Sequence, residues 1–286
     1  MISTKNSGIL LVNKEAGYTS RKVGNMLSRQ LGIKKVGHLG TLDPFATGLL
    51  IFAVNEGTKV LPFLEDDEKT YVATLKLGLL TSTLDPDGEI ILEEEVKPFR
   101  HTELIKALEK FSGTIKQTPP PTSAIRIDGK RAYKYAHAGQ EVLMPEREVT
   151  VHNLRIVEYI HPFLVIEAVV SKGTYIRTLG QDIAKVLGTN ATTVKLVRTK
   201  QGDYSVNNAK LLSEVKLDDL VPLSKALRRF PIYRVNDQDV VKVKNGRPLK
   251  LGGNAEFIQI HNERGILQAI YRKKGDNYIP VRGFNL

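Results

Sequence analysis

The chain has 286 residues, 41% of them hydrophobic, with 42 Lys and Arg against 31 Asp and Glu for a formal charge of +11. That is long enough for one large core and a small second unit. There is no cysteine, which excludes a disulfide framework or a thiolate metal site, and the six scattered histidines show no spacing such as His-x-x-x-His, so no metal is expected. Near the N-terminus the apolar run is only four residues long, too short for a signal-peptide core or a membrane span, and the expectation is a cytoplasmic protein with no membrane partner.

The predicted elements follow in chain order. Residues 19–32 place Val23, Met26, Leu27 and Leu31 at helical spacing, with Ser20 as candidate N-cap and Gly32 as stop. Leu49 to Val54 is a continuous apolar run of the kind that makes a buried strand. Lys69 to Leu80 alternates Tyr71, Ala73, Leu75 and Leu77 against Val72, Thr74 and Lys76, a strand with one more polar face, ending at the turn signal LDPDG. In that turn Asp85 and Asp87 read as turn residues, because Asp-Pro-Asp-Gly is strong turn chemistry. Leu104, Ile105, Leu108 and Phe111 mark a second helix, Val149 to Ile160 and Phe163 to Ser171 a pair of strands, and Thr174 to Leu187 a third helix. Strands and helices interspersed without strict βαβ alternation predict an α+β fold around a mixed or antiparallel sheet flanked by helices. The run of prolines from Pro119, with Arg126, Lys130, Arg131 and Lys134, suggests an insertion projecting from the sheet over about residues 116–147.

Charge is concentrated at the end of the chain. Residues 221–286 carry thirteen Lys and Arg against five Asp and Glu, a balance of +8, which leaves +3 for the first 220. Such a block is the electrostatic footprint of a nucleic-acid contact, although a merely soluble basic surface has the same composition.

The most informative segment is GHLGTLDPFATGLL, Gly37 to Leu50. Its glycines permit positive φ or close backbone approach, and Pro44 biases Asp43 towards an extended conformation, so one carboxylate is presented on a stiff loop ahead of the buried strand. Asp-Pro also initiates ordinary turns, and the residues alone leave both readings open.

This segment resembles motif I of the TruB family of tRNA pseudouridine synthases. Other segments agree with it in order and spacing: GILLVNKEAGYTS from Gly8, KTYVATLKLG from Lys69, PPPTSAIRIDGKRAYKYAHAG from Pro119, SKGTYIRTLGQDIAKVLG from Ser171 and VKLVRTKQGDYS from Val194. The resemblance implies a pseudouridine synthase catalytic domain over 1–230, with the insertion as its RNA-closing thumb, and a small PUA-like RNA-binding domain over 231–286. It implies isomerisation of uridine to pseudouridine in the T-arm loop (position 55) of tRNA, with no cofactor and no guide RNA, by a monomer. The alternatives are a tRNA-binding and folding chaperone in which catalysis is secondary, and a guide-directed subunit, whose relatives lack the long thumb.

The resemblance also assigns roles. Asp43 matches the catalytic aspartate, Arg177 the arginine that pairs with it, and Tyr71 the tyrosine that stacks on the target base. His38 matches the histidine that holds the flipped nucleotides, while Tyr175 and Leu196 are expected to line the pocket. Lys14, Arg126 and Lys130 are expected to meet RNA. Without the resemblance, Tyr71, Tyr175 and Leu196 read as core side chains, Arg177 as a surface arginine and His38 as a turn residue. Arg177 lies in the first turn of its predicted helix, where a cation opposes the helix dipole and an anionic partner is therefore plausible. The chain departs from the family pattern at Glu15, where proline is usual, and at Ser82, where the family has aspartate.

Overall fold

The computed structural model describes residues 6–286 except 66–67, 121, 124, 128, 133–134, 136–139 and 141. Lys134 and parts of the insertion therefore lie outside the described residues. In chain order the elements are β1 (Gly8–Lys14), α1 (Ser20–Leu31), β2 (Val36–Leu39), β3 (Thr47–Val54), β4 (Lys69–Leu77), β5 (Leu79–Thr81), β6 (Ile90–Glu93), α2 (His101–Glu109) and β7 (Gly113–Gln117). Next come β8 (Arg126–Ile127), β9 (Lys130–Arg131), β10 (Arg147–Ile160), β11 (Phe163–Val170), α3 (Ile176–Val186), β12 (Ala191–Gln201), β13 (Tyr204–Ser205) and β14 (Lys210–Leu211). The chain closes with α4 (Leu223–Ala226), β15 (Ile232–Val235), α5 (Asp237–Lys244), β16 (Phe257–Asn262), β17 (Leu267–Lys274) and β18 (Asn277–Gly283).

The large sheet runs β14-β1-β3-β12-β4-β11-β10-β7, with β2 added to β3 and β13 to β12. Two of its pairings, β1 with β14 and β3 with β12, are parallel, and the rest are antiparallel. With helices packed on it, this is the mixed-sheet α+β fold expected from the alternation of elements.

Successive side chains of a strand point to opposite faces, and the apolar run in β3 is continuous because both faces are covered. Leu50, Phe52 and Val54 pack with Val23 and Leu27 of α1 in the main core, which also takes in Leu179 and Ile183 of α3 and Leu104 of α2. Leu49, Ile51 and Ala53 face the other way, against Leu267 and Ile270 of β17 and Phe284 just after β18. In β4 only one face is buried, that of Tyr71, Ala73, Leu75 and Leu77, which is why its sequence alternates.

Three sequence expectations shift. The N-cap of α1 is Thr19, whose side chain accepts from the Lys22 N–H at 3.1 Å, and Ser20 is turned inward to the Asp43 loop. The strand from Lys69 does not continue to Leu80: Gly78 takes φ +82° and the chain leaves the large sheet to form the β5–β6 hairpin. The third helix begins at Ile176, with Tyr175 as its N-cap.

The four C-terminal strands form their own sheet, β15-β16-β17-β18, around Ile258, Ile260, Tyr271 and Tyr278. It is joined to the large sheet by the apolar seam on the outer face of β3. Phe63, Phe230 and Phe257 extend that seam with ring centroids 5.4 to 5.9 Å apart.

Candidate active site

The loop from Gly40 to Ala46 joins β2 to β3 at the ends of β4 and β12, and three buried groups fix its path. The Lys14 ammonium donates to the carbonyls of Glu15 at 2.9 Å, Pro44 at 3.0 Å and Ala46 at 2.6 Å. The Ser20 hydroxyl donates to the Leu42 carbonyl at 3.1 Å and accepts the Leu42 N–H at 2.9 Å. At the far end Gly48 takes φ +98° and lies so close to the Arg198 backbone that a Cβ would stand 2.4 Å from its carbonyl oxygen, so only glycine fits there. Lys14 is 1% exposed, and desolvation is the largest influence on it, bringing its ammonium down to about 8. Expected among the RNA contacts, Lys14 in fact holds the loop from beneath.

Asp43 projects from this loop into a cavity of about 230 Å³ whose lining includes Tyr71, Tyr175, Arg177, Leu196 and Arg198. Arg177 Nε lies 3.0 Å from Asp43 Oδ2, a close ion pair, although its N–H is not aligned for a good hydrogen bond. The same guanidinium reaches Asp85 Oδ2 at 2.9 Å through Nη1, and it donates to the Thr83 carbonyl at 2.8 Å, the Thr122 hydroxyl at 2.9 Å and the Thr122 carbonyl at 3.2 Å. Arg177 is 2% exposed, whereas the Asp43 side chain keeps 32% of its surface open. Two carboxylates thus share the one guanidinium. Burial pushes the Asp43 carboxyl above the usual carboxylate range; Arg177 opposes that shift, and Asp85 and Asp87 add to it.

Tyr71 and Leu196 are core-buried at 8% and 5% exposure, yet both line the cavity, Tyr71 from β4 and Leu196 from β12. His38 stands beside this lining on β2, with its Nε2 3.2 Å from the Thr41 hydroxyl and its ring tilted against Phe52. Burial, followed by the Arg198 charge, lowers the His38 pKa, which favours the neutral imidazole near neutral pH. Arg126 and Lys130 are exposed on the β8–β9 hairpin of the insertion, away from the cavity lining.

Asp85 is the site residue that sequence reasoning did not find. It is 4% exposed, accepts the Asp87 N–H at 3.1 Å as a turn aspartate does, and also takes a bond from the Thr83 hydroxyl. Its second oxygen faces Arg177. Among the described residues no group of three or more His, Cys, Asp and Glu is arranged to hold a metal ion.

Residues 28–176 match the family described as TruB family pseudouridylate synthase (N terminal domain). The chain belongs to the TruB family. It is an isomerase of the pseudouridine synthase class. A TruB relative from Bacillus pumilus, "tRNA pseudouridine synthase B", is 39% identical over 93% of each chain. One of the same name from Mesoplasma florum is 35% identical over 98% of this chain and 99% of its own. The fold is shared with the structure "Crystal Structure of a Cbf5-Nop10-Gar1 Complex" at a TM-score of 0.73 and 22% identity, covering 97% of this chain and 84% of the other. A structure of an "H/ACA RNP bound to a substrate RNA containing 2'-deoxyuridine" aligns at 0.74 with 21% identity, over 99% and 86%.

Proposed function

We propose that this TruB-family enzyme converts the uridine of the tRNA T-arm loop (position 55) to pseudouridine, acting on the RNA without a guide and using Asp43 as its reacting carboxylate. The observation that carries this reading is the pairing of Asp43 with Arg177 at 3.0 Å inside a cavity that Tyr71 also lines. The full-length relatives named tRNA pseudouridine synthase B support tRNA as the substrate class.

The reaction breaks the C1'–N1 glycosidic bond, turns the freed uracil and rejoins it through C5, with no change of oxidation state. It needs an ionised carboxylate held beside the base in a space the base cannot leave. Desolvation alone would neutralise such a group, and the Arg177 guanidinium keeps the charged form accessible. The uridine must also leave its stack, at a cost of a few kcal/mol; the Tyr71 ring offers it a face in the cavity, and His38 is bonded to Thr41 of the lining. The exposed Arg126 and Lys130, with the basic C-terminal sheet, supply sequence-independent grip on phosphates.

The test is conversion of a synthetic T-arm stem-loop by the wild type and by Asp43→Asn, with no added guide RNA. Pseudouridine formed by the wild type alone, with RNA binding kept by the variant, is the expected result. Conversion by both proteins would remove Asp43 from the chemistry.

A further inference from the structure

The insertion leaves the sheet between β7 and β10, neighbouring antiparallel strands, and Gln117 at the end of one faces Arg147 at the start of the other in register. Both side chains turn to Tyr175. Gln117, 1% exposed, accepts the Tyr175 N–H on Oε1 at 2.7 Å and donates from Nε2 to the Tyr175 carbonyl at 3.0 Å. Arg147 lays its guanidinium over the Tyr175 ring with Cζ 4.8 Å from the centroid, and it donates to the Gly173 carbonyl. One residue is thus gripped by its backbone and by its ring from the two sides of the neck.

Tyr175 is the N-cap of α3, and Arg177 follows in the first turn. The Tyr175 carbonyl also accepts the Leu179 N–H at 3.0 Å, so the Gln117 amide ties down the residue from which the helix starts. A side-chain amide presents a donor and an acceptor side by side, which suits the two backbone groups of one residue. The β7–β10 ladder already pairs backbone from Gly113 to Gln117, so Gln117 is not needed to close the neck. A little further along the insertion, Thr122 touches the Arg177 guanidinium directly.

We propose that Gln117 and Arg147 are positioning residues for the isomerisation: the neck of the insertion holds Tyr175, and through it sets the Arg177 guanidinium against Asp43. This inference rests on the reading of Asp43 as the reacting carboxylate. Reaction rates are steep in such geometry, with a misplacement of about 1 Å costing on the order of 10²-fold.

The experiment is single-turnover conversion of the T-arm stem-loop at saturating enzyme across pH, with RNA affinity and thermal stability measured in parallel, for wild type, Gln117→Glu and Arg147→Met. Gln117→Glu keeps the shape and the acceptor but sets lone pairs against the Tyr175 carbonyl. Its saturated rate is expected to fall at least about tenfold with RNA affinity within about twofold of wild type. The acid limb of its pH profile is expected to move to higher pH, because a displaced Arg177 favours the charged form of Asp43 less and the new carboxylate adds repulsion of its own, while Asp85, Asp87 and Lys14 stay in place. The neutral Gln117→Leu, measured beside it, is expected to move the limb the same way by displacement alone. Arg147→Met is expected to shift both readouts in the same direction by less, and it decides the matter alone if Gln117→Glu does not fold. A saturated rate and acid limb equal to wild type, or a loss confined to RNA affinity, would overturn the proposal. A wild type that converts no uridine would instead overturn the proposed activity, and conversion by Asp43→Asn as well as wild type would overturn the assignment of Asp43 on which the inference rests.

Discussion

Asp85 lies 2.9 Å from the Arg177 guanidinium, as closely as Asp43 does. The two carboxylates take different atoms of the guanidinium, Nη1 for Asp85 and Nε for Asp43, so Asp85 fixes the rotation of the group that Asp43 depends on. Asp85→Asn keeps the turn but weakens that hold. A misplacement of about 1 Å costs on the order of 10²-fold, so the expected loss in single-turnover rate is roughly 10- to 100-fold, with RNA affinity unchanged. A rate within about twofold of wild type would reduce Asp85 to a turn residue.

The pH dependence follows from the burial of Asp43. Its carboxyl is raised by desolvation, against the pull of Arg177, and the reaction uses the ionised form. Activity is therefore lost as pH falls through a value above the usual carboxylate range, and Arg177→Lys, with one ammonium in place of a fork, should carry the acid limb higher still. The same shift has a stability consequence. A carboxyl whose folded pKa lies above its unfolded one opposes folding at neutral pH, and that penalty vanishes below the unfolded value. Asp43→Asn is thus expected to melt at a higher temperature than wild type at pH 7 and at an equal one below about pH 3.9. Calorimetry at the two pH values checks this; a lower melting temperature at pH 7 would mean that the ion pair outweighs desolvation.

The frame of this site was legible in the sequence because it depends on periodicity and turn chemistry. The alternation from Tyr71 to Leu77 gave the buried face of β4, and the unbroken run in β3 reported burial on both sides, though not that the C-terminal strands cover the second. Lys14, Ser20 and Asp85 were not legible in the same way. A lysine under a loop and a lysine facing RNA have the same sequence neighbours, and only the carbonyls of Pro44 and Ala46, thirty-odd residues away, distinguish them. Asp85 keeps its turn bond to the Asp87 N–H while its other oxygen meets Arg177, so the turn reading was accurate and incomplete. Thr19 and Ser20 are both good caps by type, and the long-range bond to Leu42 draws Ser20 away.

Lys14 offers a clean separation of loop anchoring from RNA contact. Its ammonium faces three carbonyls and is 1% exposed, so it neutralises no phosphate. Lys14→Met should lower the turnover rate while leaving the log-log salt dependence of RNA binding unchanged, whereas loss of a phosphate contact would flatten that slope by about 0.7 to 0.9. Because burial depresses the Lys14 pKa to about 8, the unfolded chain binds the extra proton above that value. Wild-type stability is expected to rise as pH increases from about 8 towards the unfolded lysine value of about 10.4, and the variant to lose that contribution.

The basic C-terminal sheet cannot be removed to test its role, because Leu267, Ile270 and Phe284 cover the outer face of β3. Truncation before β15 would bare Leu49, Ile51 and Ala53, and burial of such side chains is worth about 1.5–3 kcal/mol each for the larger ones. The truncated chain is expected to aggregate or melt well below wild type. Charge reversal at exposed positions leaves that seam intact: Arg247, Lys250, Arg272 and Lys274 all face solvent. Replacing Arg247 and Lys250 with Glu should keep the melting temperature, weaken tRNA binding and flatten its salt slope, with the single-turnover rate at saturating enzyme unchanged. An unaltered slope would assign the RNA grip to the insertion, where Arg126 and Lys130 are also exposed, and leave the C-terminal sheet with the structural task of covering β3.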